Sequence, residues 1–146
     1  MPRYETKKGH IKMAQYEMHI RLITGSMEEV KVRVVEALKM QGFGILTEID
    51  VQKTLKQKIG VDFRPYQILG VCNPHLAHKA LTVDDSIGLL LPCNVVLQST
   101  GEAVEVSILD PEVMFSVVEA ETKKALAGLP QEAKSQLQAA LSALES

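Results

Sequence analysis

The chain has 146 residues, 46% of them apolar, and 16 Lys and Arg stand against 18 Asp and Glu for a formal charge of −2. That length suits one domain around one core, and the near-neutral balance leaves no basic field for nucleic acid or an anionic membrane. Two Cys, no Trp, three Phe and three Tyr mean an aliphatic and Met core with no disulfide scaffold, so a reducing cytoplasm is the expected compartment.

Residues 1–12 carry Arg3, Lys7, Lys8 and Lys12 without apolar periodicity and read as a disordered basic arm ahead of a single domain over residues 13–146. They hold no apolar segment of a secretory leader, and the longest apolar run, residues 87–92, is far too short to span a bilayer. Next, Tyr16, Met18, Ile20 and Leu22 alternate with Gln15, Glu17, His19 and Arg21, which predicts a strand with the first set buried and the second wet. Ser26 and Glu29 form a capping box for a helix bearing Met27, Val30, Val34 and Leu38, and Gly42 can take the left-handed position at its end. A second strand covers residues 44–49. Asp50 then opens a short helix with Val51, Leu55 and Ile59 on one side and Gly60 as its stop.

A third strand covers residues 66–72, and Asn73-Pro74 caps a helix through Leu81 whose apolar side is Leu76, Ala77, Ala80 and Leu81. A fourth strand over residues 93–98, the turn Ser99-Thr100-Gly101 and the alternation of Val104, Val106 and Ile108 make a hairpin. Asp110-Pro111 repeats the cap signal for a helix to about Ala127. After Gly128, Pro130 opens a last helix with Ala133, Leu137, Leu141 and Leu144 on one stripe. The order βαβαβαββαα, with a hairpin at the end of the strands, predicts an α+β domain: a mostly antiparallel sheet of about five strands with helices on one face. Its outer face is then open to water or meets a second copy.

Three segments carry a family resemblance: Gln41-Gly42-Phe43-Gly44-Ile45-Leu46-Thr47-Glu48-Ile49-Asp50, Ile68-Leu69-Gly70-Val71-Cys72-Asn73-Pro74 and Gly88-Leu89-Leu90-Leu91-Pro92-Cys93-Asn94-Val95. In this order and spacing they resemble the uncharacterised prokaryotic family catalogued as domain of unknown function 302. The resemblance covers residues 14–128 or so and leaves the basic arm and the helix over residues 130–145 outside. It implies a TATA-binding-protein-like fold in a single copy, a homodimer, and no established activity. The fold name brings no DNA binding with it, because the surface has no basic stripe.

Cys72 ends the third strand and Cys93 begins the fourth, so antiparallel pairing puts both thiols on one rim of the sheet. There they are either a redox pair or two small buried apolar side chains. The start of the following helix favours a thiolate at Cys72. With Asn73, Pro74 and Asn94 the two cysteines outline a candidate ligand pocket. His75 and His78 add ligand types that zinc accepts, but no Cys-x2-Cys pair is present and both His fall opposite the apolar side of their helix, so no metal is expected. Asp84-Asp85-Ser86, Glu48 with Asp50, and Asp62 with Arg64 read as caps and solvent-facing charges. Gly42-Phe43-Gly44 reads as helix stop and strand start, not as a phosphate loop.

The leading expectation is therefore a homodimeric binding or interaction domain for a small-molecule ligand, with neither nucleic acid nor membrane as partner. The alternative is a thiol-dependent redox or sulfur-transfer protein that uses Cys72 and Cys93. A third is a dimerising module whose Leu137, Leu141 and Leu144 stripe packs on a partner. The sequence names no cofactor and leaves open whether a reaction is catalysed.

Overall fold

A computed structural model of the chain describes residues 15–144. The arm expected over residues 1–12 lies outside them. The described chain runs β1 (Glu17–Thr24), α1 (Met27–Met40), β2 (Gly44–Asp50), α2 (Val51–Ile59), β3 (Tyr66–Cys72), α3 (Pro74–Val83), a 3-10 turn (Asp85–Leu90), β4 (Cys93–Ser99), β5 (Ala103–Leu109), α4 (Pro111–Met114), a second 3-10 turn (Phe115–Val117), α5 (Ala120–Ala125) and α6 (Leu129–Ser142). The five strands form one antiparallel sheet in the order β1-β5-β4-β3-β2.

The local chemistry accounts for most of these boundaries. Ser26 accepts from the backbone N–H of Glu29 at the start of α1, and Asp50 does the same for Lys53 at the start of α2. Gly42 (φ 84°) and Gly60 (φ 68°) take the left-handed backbone just past the ends of these helices. Gly70 is needed for space instead: a Cβ there would collide with the Thr47 hydroxyl and come within 2.7 Å of Pro92 Cγ.

Cross-strand pairing sorts the side chains of the sheet into two faces. Ile23, Val104, Val106, Ile108, Leu97, Val95, Leu69 and Val71 share the face that is sealed in the core. Onto it α1 contributes Val30, Val34 and Leu38, α3 contributes Leu76 and Ala80, and α6 contributes Ala133, Leu137, Ala140 and Leu141. The opposite face carries Leu22, Ile49, Val96, Ile68, Gln98 and Glu105. On that side Arg64 donates to Gln98 Oε1 from Nε (3.0 Å) and Nη2 (2.9 Å), and Gln98 Nε2 donates to Glu105 Oε2 at 2.8 Å. Glu105 is fully buried there, its carboxylate held within this polar row.

Three expectations change. In β1 the register slips between Glu17 and His19, leaving Met18 as a bulge, so the alternation changes phase. Ile23 then enters the core and Leu22, expected inside, is 48% exposed; Tyr16 is also exposed. The long helix expected from Asp110 to about Ala127 is broken. α4 tightens into a 3-10 turn after Met114, Val118 and Glu119 are extended, and α5 starts afresh at Ala120. The adjacent β-branched Val117 and Val118 resist a continuous helix, and the break lets Met114 and Phe115 both turn into the core. Finally, the stripe of Leu137, Leu141 and Leu144 is 0%, 1% and 7% exposed, so it is part of the core and not a surface for a partner.

Candidate functional site

The end of β3, the start of β4 and the first turns of α3, α4 and α6 converge at one rim of the sheet. The chain reaches this point from β3 through Asn73, whose side-chain oxygen accepts from the backbone N–H of His75 (3.1 Å) and of Leu76 (3.4 Å), while Pro74 occupies the first helical position. The Asn73 amide nitrogen donates to Gln136 Oε1 at 3.1 Å and so ties α3 to α6. Gly42 lies against the same amide, where a Cβ would stand 3.2 Å from Nδ2. On the other side Asp110 caps α4 by accepting from Glu112 N (2.9 Å), and its second oxygen accepts from Lys134 Nζ at 2.9 Å, joining α4 to α6. Asp84 caps the 3-10 turn that precedes β4 and accepts from Thr122 Oγ1 of α5 at 3.0 Å. These donors hold the Asp84 carboxyl below its ordinary value, the Ser86 hydroxyl first and Thr122 next.

Between these elements lies a partly open cavity with about 30 Å³ of space for the centres of water-sized atoms. Its floor is Val71, Cys72 and Cys93 from the strand ends, with Phe43 beside them. α3 contributes Leu76, Ala77 and Ala80, and Leu91 closes the approach to β4. The remaining wall is Pro111, Met114, Phe115, Leu129 and Ala133. Apart from Asn73 and the two thiols, the lining is entirely apolar.

Of the residues singled out in the sequence, Cys72, Asn73 and Cys93 border this cavity. Pro74 and Asn94 are exposed and do not line it. The two thiols are not opposite one another. The strand partner of Cys93 is Val71, so by the pleat Cys72 belongs to the other face of the sheet. Burial pushes the Cys72 thiol up from its ordinary value, and burial first, with Cys72 nearby second, pushes Cys93 up to about 11. Both shifts favour the protonated thiol, the opposite of the activation expected from the start of α3. His75 and His78 lie exposed on the outward side of α3, and among the described residues no three His, Cys, Asp or Glu side chains gather to hold a metal.

The carboxylates behave as caps and surface pairs. Asp50 caps α2, Glu48 pairs with Lys31 at 2.7 Å, and Asp62 pairs with Lys56 at 2.8 Å and not with Arg64. The second half of the cavity, Met114, Phe115, Leu129 and Ala133, was not legible from the sequence. The Asp110-Pro111 cap marked where that wall begins, but the break after Met114 that turns it inward had no local signal.

A family profile described as Domain of unknown function DUF302 matches residues 19–144. The chain belongs to the DUF302 family. The match takes in α6, which the sequence resemblance had left outside, in keeping with the place of that helix in the core. A crystal structure of an uncharacterised conserved DUF302 protein from Bacillus stearothermophilus is similar to this DUF302 chain with a TM-score of 0.75 and 27% identity, over 88% of this chain and 98% of that one. Among curated proteins none matches. Among the described residues no helix of this DUF302 chain is long and apolar enough to cross a membrane.

Proposed function

We propose that this DUF302 domain binds a small molecule at the rim cavity bounded by Cys72, Asn73 and Cys93, and that it works as a pair of copies. The cavity carries the reading: an apolar, partly open space at the junction of five elements, whose walls are pinned by the Asn73–Gln136 and Asp110–Lys134 bonds. A pocket held this way costs little to organise when a ligand arrives. The sheet face opposite α1, α3 and α6 supports pairing, because Leu22 and Ile49 are 48% and 47% exposed there beside half-buried Val96 and Ile68. Of the described strands, the outer ones β1 and β2 are poorer candidates, since both carry a bulge that spoils continued pairing.

The rival reading, thiol-dependent redox or sulfur transfer with Cys72 and Cys93, has the shared cavity in its favour. It ranks second because the thiols sit at different register positions and both are held protonated. Thermal melting against a panel of small molecules separates the two. Ligand binding at the cavity predicts stabilisation that survives Cys72→Ser and disappears in Ala77→Leu, which fills the cavity. Stabilisation that Ala77→Leu leaves intact would move the site elsewhere, and loss on Cys72→Ser alone would favour the thiol reading.

A further inference from the structure

With the rim cavity as the ligand site, as proposed above, the walls also select the occupant. Every lining residue is uncharged, and Cys93 and Met114 bring sulfur to the cavity, with the rings of Phe43 and Phe115 beside them. The one amide present is engaged by the fold: the oxygen of Asn73 serves the start of α3 and its nitrogen donates to Gln136. An ion entering here would give up its water and meet no opposite charge. Sulfur and ring edges instead reward a π face, since sulfur packs well about 5 Å from a ring and aromatic pairs favour offset or edge contacts. The roughly 30 Å³ of space is well below the ~150 Å³ of a closed apolar cavity that takes in benzene whole, so a ring enters edge first and keeps part of its face in the open side.

The geometry points to a neutral single-ring aromatic molecule as the ligand class of this cavity, entering through its open side and held by Met114, Phe43, Phe115 and the Cys93 thiol. Charged derivatives of the same ring are excluded by the cost of stripping their water. The probe is toluene, with benzoate as the charged comparator, titrated into the full chain carrying 13C-methyl Met. Met114 should shift saturably with toluene while Met18 and Met27 stay still, and nuclear Overhauser contacts should connect the Met114 methyl to the toluene ring. Toluene should bind at least tenfold more tightly than benzoate, and Ala77→Leu should abolish the Met114 response while the other Met signals stay in place. The Overhauser contacts read the site without any variant.

An equal or stronger Met114 response to benzoate would leave the cavity as the ligand site and overturn the neutral-ring class. A Met114 signal that moves with protein concentration in the absence of any ligand would put a second copy in the cavity and overturn the class as well. Silence of Met114 toward both probes, with saturation reached elsewhere on the chain, would overturn the class and the site together.

Discussion

Asn73 does two jobs with one side chain, and its surroundings show why no other residue fits as well. Its oxygen supplies the first turn of α3 and its nitrogen reaches α6 through Gln136, while Gly42 leaves room beside it. Asn73→Ala removes both sets of bonds at a 9% exposed site and should cost about 1–3 kcal/mol, whereas Asn73→Asp keeps the cap and should cost less. Urea unfolding of the two variants checks the order; an equal loss in both would put all the value in the Gln136 bond. Cys93 gives a pH signature. Its thiol is raised in the folded chain from an ordinary 9.0 to about 11, so folding favours the protonated form. Below pH 9 the thiol is protonated in both states and the benefit is fully present. Between pH 9 and 11 the unfolded chain loses the proton and the folded chain keeps it, so stability falls as pH rises, by up to roughly 2–3 kcal/mol for this group. Urea midpoints of wild type and Cys93→Ala over that window should show the slope in the former and its reduction in the latter.

At the scale of elements, α6 is the piece whose role the sequence left most open. A Leu stripe reads equally well as core or as interface, because periodicity reports an apolar side and not what covers it. Leu137 is fully buried against the sheet, so Leu137→Ala should cost about 2–5 kcal/mol, and Leu137→Glu should unfold the chain at any protein concentration. Circular dichroism at two concentrations checks this; a folded monomer from Leu137→Glu would restore α6 as an interface. Caps and stops were the legible part of the fold. Ser26, Asp50, Asn73-Pro74, Asp110-Pro111, Gly42 and Gly60 all act where local spacing placed them, because such signals depend only on neighbours within a few residues. The β1 bulge at Met18 and the break after Met114 depend on how distant elements pack, and no short window contains that information. The site divided the same way. Cys72, Asn73 and Cys93 sit beside strand ends that the sequence marked, whereas Met114, Phe115, Leu129 and Ala133 join them only through tertiary packing.

For the whole molecule, the sheet presents one sealed face and one that keeps Leu22 and Ile49 half in water. If two copies meet there, light scattering at micromolar concentration gives a dimer, and Leu22→Arg gives a monomer of nearly unchanged thermal midpoint, since a side chain already half exposed tolerates charge in the single copy. A monomeric wild type would remove the pairing and leave the cavity untouched. The cavity itself is tested most directly by native mass spectrometry of wild type and Ala77→Leu, each purified without added metal from the cells that make it. The account predicts an extra small mass on the folded wild type that is released on unfolding and missing from the variant. An extra mass retained by Ala77→Leu, or two bare chains of the expected mass, would contradict it.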